Sequence, residues 1–380
     1  VPRLAVISAH TSPLERPSTG DAGGMNVYLA SVLPEIARLG WQVSVYTRGE
    51  GVRMLAPGVE VIGVPVAAGD KYALARAAGE FADAARGCDL VHSHYFVSGM
   101  AGALLGAPHV HSMHSISLAK NARLAPGDVA EPAERIEAER WVLDSADAVV
   151  VAGVSERSTI ERGYGVPAER IHVVPPGVDP RFVAGSGPRA GVVLVGRVQP
   201  LKGQLLAVQA LRMLAQNMSG QGMPAERVSA DVPTLTIAGG AAPGRESYLD
   251  EVRAAAIGLP VEFTGPVDRD EAARLLRSAA VALMPSAVET FGLVALEAAA
   301  SGTPVLARRT DGLTDAVAEG RSGLLVDSAE PADWAAALGA LIADAPLRER
   351  LGAGGIAWAG EHSWSRAASD LDTLYRRLLG

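Results

Sequence analysis

Cysteine is almost absent from this 380-residue sequence. The one residue, Cys88, excludes an internal disulfide and any site built on several thiolates. Its setting in Cys88-Asp89-Leu90-Val91 predicts a small, buried, inert core residue. Also missing is an apolar run approaching the roughly 18 residues that a membrane span requires, because the 48% hydrophobic content is interrupted by 42 Gly and 24 Pro. The stretch Val1-Pro2-Arg3-Leu4-Ala5-Val6-Ile7 enters a strand-like segment without a basic region, an apolar signal core and a cleavage site, so a cytoplasmic location is expected. Basic residues are in deficit: 34 Lys and Arg stand against 42 Asp and Glu, a formal net charge of −8. That balance argues against nucleic acid or an anionic membrane as partner. A small anionic ligand must then be held by locally placed cations.

The length exceeds what one hydrophobic core usually organises, and two domains are expected. Short Val/Ile/Leu runs alternate with longer alanine-rich stretches, the rhythm of parallel α/β layers. In the first half the strands are predicted at Leu4–Ser8, Gln42–Thr47, Val59–Val64, Leu90–His92, His109–His111, Ala148–Ala152 and Ile171–Val174, with helices at Asn26–Leu39, Ala73–Ala85 and Glu134–Ser145. The rhythm breaks at Val174-Pro175-Pro176-Gly177-Val178-Asp179 and resumes only at Val192–Val195, so this proline- and glycine-rich stretch is the linker candidate. A helix after Gly203, strands Leu235–Ala238, Val261–Thr264, Val281–Met284, Pro304–Ala307 and Gly323–Val326, and helices Asp270–Ala279 and Leu293–Ala300 follow. Asn217–Pro233 is predicted to be a polar surface insertion. The fold class is α/β, with one Rossmann-like domain over residues 1–176 and a second over 177–363, facing a central cleft. The terminal helix, 364–380, is expected to pack back on the first domain.

Two regions of the first half carry chemistry. The loop His10-Thr11-Ser12-Pro13 … Gly20-Asp21-Ala22-Gly23-Gly24-Met25-Asn26 ends in paired glycines at a helix start, where backbone N–H groups and the helix dipole favour a phosphate. It is not the Gly-x-Gly-x-x-Gly of dinucleotide-binding folds, which disfavours a nicotinamide-dependent dehydrogenase. Histidines cluster in His92-Ser93-His94-Tyr95 and His109-Val110-His111-Ser112-Met113-His114-Ser115. They are expected to be divided between strand faces with no carboxylate or cysteine nearby, and so not to form a zinc site. His92 and His111 are assigned to the core, and His114 and Tyr95, where strands open into loops, to ligand contact.

In the second half, Gly196-Arg197-Val198-Gln199-Pro200-Leu201-Lys202-Gly203 sets two cations at a strand end just before a helix, a combination suited to a diphosphate leaving group. Pro285-Ser286-Ala287-Val288-Glu289-Thr290-Phe291-Gly292-Leu293-Val294-Ala295-Leu296-Glu297-Ala298 offers two carboxylates that can face one pocket and accept hydrogen bonds from sugar hydroxyls.

Together with Ser301-Gly302-Thr303-Pro304-Val305, these motifs resemble the retaining GT-B glycosyltransferases of family 4. Within that family the resemblance is to the D-inositol-3-phosphate glycosyltransferases of mycothiol biosynthesis, carried also by Lys120-Asn121 and Pro176-Gly177-Val178-Asp179. The resemblance implies a donor site of Gly24, Arg197, Lys202, Val267, Glu289, Phe291, Gly292, Leu293 and Glu297. Of these, Arg197, Lys202 and Glu289, with His114 near the sugar, are the implied catalytic residues. It implies an acceptor site of His10, Asp21, Asn26, Tyr95, Ser115 and Arg135. Departures fall on the acceptor side: Ser115 stands where the family has threonine, only Lys71 or Arg76 can replace the family's phosphate-binding lysine, and its Glu-Gln-Gln segment is Glu139-Arg140-Trp141.

The implied reaction is retaining transfer from a nucleotide diphosphate sugar, UDP-N-acetylglucosamine first, to 1D-myo-inositol 3-phosphate, with no metal or other cofactor. A natural-product enzyme using a GDP- or UDP-sugar and another hydroxyl or thiol acceptor is the alternative. Outside that class stand a nucleotide-sugar epimerase and a non-catalytic nucleotide-sugar sensor. A homodimer is expected by similarity.

Overall fold

A parallel strand buried on both faces needs an unbroken apolar run and a helix to cover each side, and the chain supplies this pattern twice. In the computed structural model, which describes residues 1–15, 22–67, 69–124, 129–220 and 232–380, the chain divides into two compact units. Unit 1 comprises Val1–Ala122, Val129–Gly177 and His362–Gly380; unit 2 comprises Val178–Glu361 and the short stretch after Ala122. Each has its own Rossmann-like sheet.

Unit 1 runs β1 (Arg3–Ile7), α1 (Gly24–Arg38), β2 (Gln42–Arg48), β3 (Val52–Ala56), β4 (Val59–Val64), α2 (Lys71–Arg76), α3 (Ala78–Ala84), β5 (Leu90–His94) and α4 (Phe96–Gly102). It continues through β6 (His109–Ser112), α5 (Ser117–Asn121), α6 (Ala133–Ser145), β7 (Ala148–Val151), α7 (Val154–Tyr164) and β8 (Ile171–Val173). The sheet order is β3-β4-β2-β1-β5-β6-β7-β8, parallel throughout except for β3, which pairs antiparallel with β4 at the edge. From β1 the chain first builds outward through β2 and then returns to build the other half from β5. The β1/β5 boundary is therefore the point where strand order reverses, and loops there splay apart to leave room for a ligand.

Unit 2 repeats the plan with β9 (Val192–Val195), α8 (Gln204–Gly220), β10 (Leu235–Ala238), α9 (Glu246–Ala255), β11 (Val261–Gly265), α10 (Arg269–Ser278) and β12 (Val281–Met284). Then come α11 (Leu293–Ala300), β13 (Val305–Arg308), α12 (Asp311–Ala316), β14 (Gly323–Val326), α13 (Pro331–Ala343) and α14 (Ala345–Gly360). Its order, β11-β10-β9-β12-β13-β14, is parallel throughout and reverses between β9 and β12. Val192, Leu194, Ile237, Val281, Leu283, Leu306 and Trp334 form its core.

Three expectations need correction. The helix predicted over Ala73–Ala85 is two helices, broken at Ala77, with Asp70 capping the first through the N–H groups of Tyr72 and Ala73. The supposed insertion Asn217–Pro233 begins as the last turn of α8 rather than as a loop, and residues 221–231 lie outside the described residues. Cys88 is half-buried, packed against the edge of the core instead of within it. Burial still pushes its thiol up, and it lines a depression of about 700 Å³ with Arg86, Asp89 and Leu104, at the amino end of β5 and away from the loops that follow the strands.

The last helix, α15 (Trp364–Leu379), belongs to unit 1. Its buried residues Trp364, Ala367, Ala368, Leu371, Leu374 and Tyr375 recur at helical spacing on one face. That stripe packs on α1, and each large side chain contributes about 1.5–3 kcal/mol by leaving water. Two polar contacts fix the register: Trp41 Nε1 donates to Asp372 at 2.7 Å, and Tyr375 Oη pairs with His92 Nδ1 at 2.6 Å. Backbone meets backbone where the helix begins, since a Cβ on Gly177 would lie 2.1 Å from the amide nitrogen of Trp364. Gly177→Ala is therefore expected to lower unfolding free energy by about 1–3 kcal/mol through overpacking. Urea denaturation followed by tryptophan fluorescence measures it, and an unchanged midpoint would refute the close approach.

Candidate active site

The reversal point of unit 2 is bridged by charge. After β9 the chain passes through Gly196 and Arg197 into a 3-10 turn, Pro200–Lys202, and after β12 it passes through Pro285 to Glu289. Lys202 Nζ forms an ion pair with Glu289 Oε2, both side chains half-buried. The two loops are also stitched by backbone, with Ala287 N donating to Leu201 O at 2.9 Å. Gly203 makes this approach possible: its φ is +74°, and a Cβ would lie 2.6 Å from Pro285 O. Arg197 is half-buried in the same loop, which Gln204 braces by donating from Nε2 to the Arg197 carbonyl at 2.9 Å. Gly292, at φ +92°, opens α11 behind Glu289, with Phe291 buried and Leu293 in the first helical position.

Glu297 does not share that pair. It is buried on α11, and its Oε1 accepts from Arg269 Nη1 at 2.7 Å. Arg269 also lies 3.6 Å from Asp179 and stacks over Phe182 at 4.6 Å. Burial pushes the Glu297 carboxyl up and the Arg269 charge pulls it back, leaving a net upward shift. The two glutamates are thus held by different cations. Arg269 was not singled out from the sequence, where nothing local marks it as the partner of a carboxylate 28 residues away. Val267 is half-buried in the loop between β11 and α10.

In unit 1 the candidates gather beyond the carboxyl ends of β1, β5 and β6. The His10 and Tyr95 rings are 4.5 Å apart, and the Arg135 guanidinium lies 5.1 Å from the centroids of both Tyr95 and Phe96. Arg135, fully buried, reaches Ser115 Oγ at 3.3 Å, Glu139 Oε1 at 3.1 Å and the carboxylate of Glu131. Lys71 and Lys120 also bind Glu131, at 2.8 and 3.2 Å, whereas Arg76 is exposed. Asn26 is buried and already committed: its amide donates to Thr11 Oγ1 and the Ser12 carbonyl and accepts from Gly23 N, so it shapes the loop before α1. Gly24 is exposed at the helix start. Asp21 lies outside the described residues.

The histidines of one strand share a face instead of alternating between faces, while the pair on β5 and the pair on β6 lie on opposite faces of the sheet. Residues two apart share a strand face, and His109 and His111 both bond Ser93 Oγ, at 2.6 and 2.8 Å, while His92 and His94 stack at 4.1 Å. His94 Nδ1 meets His114 Nε2 at 2.8 Å. Among the described residues no group of His, Cys, Asp or Glu is arranged to hold a metal. Among the described residues, Tyr95 and His114 are the non-glycine residues with positive φ, +74° and +55°, and strain of that kind is retained where surrounding structure over-determines it. Tyr28 packs edge-on against His114 and Trp364. Tyr28 Oη, Trp364 Nε1 and His94 Nε2 are buried with no hydrogen-bond partner among the described residues.

Comparison with known proteins agrees with this layout. The family described as "Glycosyl transferases group 1" matches residues 183–358, and "Glycosyl transferase 4-like domain" matches residues 23–177. The chain is 38% identical over 420 aligned positions to the D-inositol 3-phosphate glycosyltransferase of Jonesia denitrificans, covering 99% of this chain and 96% of that protein. The protein of that name from Xylanimonas cellulosilytica is 38% identical over 417 positions, covering 98% and 96%. Among solved structures, sucrose-phosphate synthase from Thermosynechococcus elongatus superposes with a TM-score of 0.87 at 26% identity, over 100% of this chain and 99% of its own. Anabaena HepE in complex with UDP and glucose gives 0.72 at 20% identity, over 98% of each chain, and supports the fold.

The buried histidines make acid stability a direct test. Burial, then the neighbouring His10, lowers His114 to about 3, and burial, against the pull of Asp147, lowers His109 to about 4. Both folded values lie below the ordinary 6.5, so the unfolded chain binds the extra protons. Stability is fully present above about pH 6.5 and falls toward pH 4, by about 1.4 kcal/mol per pH unit for each such histidine. His114→Asn, which tolerates positive φ, is expected to flatten that slope in denaturant titrations between pH 6.5 and 4. Parallel profiles for the variant and the parent would refute it.

Proposed function

We propose, for a chain that belongs to the retaining family 4 glycosyltransferases of the GT-B fold, that Arg197 and Lys202 grip the diphosphate of the nucleotide-sugar donor and unit 1 presents a small polyhydroxylated acceptor. The observation that carries the reading is the Lys202–Glu289 pair across the reversal point of unit 2. A lysine parked on a carboxylate is ordered before the donor arrives, and a diphosphate with more charge competes for it. Released from Lys202, Glu289 accepts hydrogen bonds from the sugar. Arg269 holds Glu297 Oε1, and the second oxygen is the one we assign to the ribose hydroxyls. Backbone at Phe291, Gly292, Leu293 and Val267, with the Gly24 helix start, completes the donor contacts.

In this reading catalysis is positioning plus neutralisation of the departing diphosphate, the work that a divalent cation performs elsewhere. The acceptor hydroxyl enters on the face from which the diphosphate leaves, and its proton passes to the leaving phosphate. His114 stays neutral because burial holds it at about 3, so it serves as a hydrogen-bonding group beside the sugar and carries no charge. His10, Tyr95, Ser115 and Arg135 line the acceptor region, with Asn26 shaping its loop. The relatives' names and the motifs put UDP-N-acetylglucosamine with 1D-myo-inositol 3-phosphate first in an assay panel. GDP-sugars and other hydroxyl or thiol acceptors follow. A homodimer belongs to the same reading, and sedimentation velocity measures it.

Lys202→Ala is expected to reduce turnover at saturating donor by about 10²–10³-fold, with product anomeric configuration retained in the residual activity. Near-normal turnover would remove Lys202 from the mechanism. Steady-state rates measured with and without EDTA are expected to match, and loss of activity on chelation would show that a metal takes part of the charge assigned to the two cations.

A further inference from the structure

A neutral imidazole carries one proton, and the nitrogen that holds it decides whether the other nitrogen donates or accepts. Burial lowers both His94 and His114 and keeps their rings neutral. The two rings lie 5.0 Å apart with His94 Nδ1 2.8 Å from His114 Nε2, so one of these nitrogens holds a proton and the other is bare. The surroundings of His94 decide which. His94 is buried, and its Nε2 has no hydrogen-bond partner among the described residues. The Tyr28 ring stands 6.0 Å from it, and the Trp364 indole 5.6 Å from the tyrosine. Both are buried, and both bring a donor without a partner among the described residues, Tyr28 Oη–H and Trp364 Nε1–H. Burial, then the charge of Glu156, pushes the Tyr28 hydroxyl up, so it keeps its proton. With the His94 proton on Nε2, these groups would hold three donors and one acceptor, the tyrosine oxygen, and a buried donor left unmet carries its full desolvation penalty. With the proton on Nδ1, Nε2 becomes the acceptor that the two donors lack, reached directly or through one bridging water.

We propose that His94 is a positioning residue: it donates from Nδ1 to His114 Nε2 and so fixes His114 as the Nδ1–H tautomer, a hydrogen-bond donor toward an oxygen of the transferred sugar. The proposal rests on the reading that His114 stands beside that sugar, and it adds the direction in which the bond runs. With the opposite tautomer the ring would present a lone pair and demand a hydroxyl proton instead. Tyr28 and Trp364 act one step further back, as the donors that keep His94 Nε2 bare. Two neighbours hold His114, the bond to His94 and the edge-on ring of Tyr28 at 5.4 Å, at a φ of +55° that the surroundings must enforce. An N–H fixed before the sugar arrives costs no reorganisation during the reaction.

The first measurement is made on the full-length parent. With isotope-labelled histidine, proton–nitrogen correlation NMR separates a protonated ring nitrogen from a bare one, and His114→Asn identifies the His114 signals by their loss. The expected pattern is a protonated Nδ1 and a bare Nε2 on both His94 and His114. A proton on His114 Nε2 overturns the proposal, and this arm holds even where a His94 variant folds poorly. The second measurement is kinetic. His94→Leu releases the His114 tautomer and is expected to lower kcat by at least about tenfold, short of the about 10²–10³-fold that goes with losing such a donor outright, while the KM for the donor stays close to that of the parent. His94→Asn, whose amide N–H can stand in for Nδ1–H, is expected to recover most of that loss. Added to His114→Ala, His94→Leu is expected to cost nothing further, because its effect passes through that ring. With His114→Ala itself impaired, parental kcat in His94→Leu, or losses that multiply in the double variant, overturn the proposal. Parental turnover in His114→Ala, with the Nδ1–H form seen by NMR, would instead remove His114 from the proposed function and leave the tautomer lock in place.

Discussion

A cation at the carboxyl end of a parallel sheet stands half in protein and half in water, and it keeps a defined position only when a carboxylate is beside it. The attraction within such a pair is small when both partners are well solvated and strengthens as water is excluded, against a rising cost of desolvation. Most of the chemistry-bearing side chains described here obey that constraint. Lys202 is held by Glu289, Arg269 by Glu297 and Asp179, and Arg135 by Glu131 and Glu139. The loops beyond β9 and β12 owe their juxtaposition to backbone that only glycine permits at Gly203, and those beyond β9 and β10 to Gly239, where a Cβ would lie 1.9 Å from Gly196 O. Glycine brings the loops together, and paired charge then fixes the side chains on them.

The constraint explains what could be read in advance. Val192–Val195, Leu235–Ala238, Val281–Met284 and Gly323–Val326 fall at their observed limits because a strand covered on both faces has no polar position to blur its ends. The antiparallel edge strand Val52–Ala56 escaped notice, since Val52, Arg53 and Met54 are exposed and leave no buried pattern. Helices Phe96–Gly102 and Ser117–Asn121 were missed for another reason: they are short and rich in Gly or Ser, and tertiary contacts, not helix propensity, hold them. Arg197, Lys202 and Glu289 announced themselves through flanking glycines and proline. Glu131 and Arg269 could not, because the partners of a charge are chosen by the fold: Lys71 is 60 residues from Glu131 along the chain.

The histidines show a different economy. Their bonds run His92 to Tyr375 and Ser112, His94 to His114, and His109 and His111 to Ser93. Burial keeps these rings neutral, and a neutral imidazole is donor at one nitrogen and acceptor at the other. Two sets of such groups, one on each face of the sheet, link β5 and β6 without adding charge. The last helix takes part, since Tyr375 bonds His92 on one of those faces. The positive φ of Tyr95 and His114 places both just beyond the ends of β5 and β6, and His114 is held there by its bond to His94.

The two units therefore use charge in opposite ways. In unit 2 the lysine of the pair is half-buried, on a turn bounded by glycine, and meets a single carboxylate, so a stronger anion can take it. In unit 1 Arg135 is fully buried against two aromatic rings and engaged by two carboxylates, one of them pinned by its own peptide groups. Removing one partner from so dry a cluster leaves an uncompensated charge, which costs far more than opening a half-solvated pair. An exchangeable pair suits a diphosphate that must bind and leave in every turnover. A locked cluster suits a wall that keeps its shape from one turnover to the next.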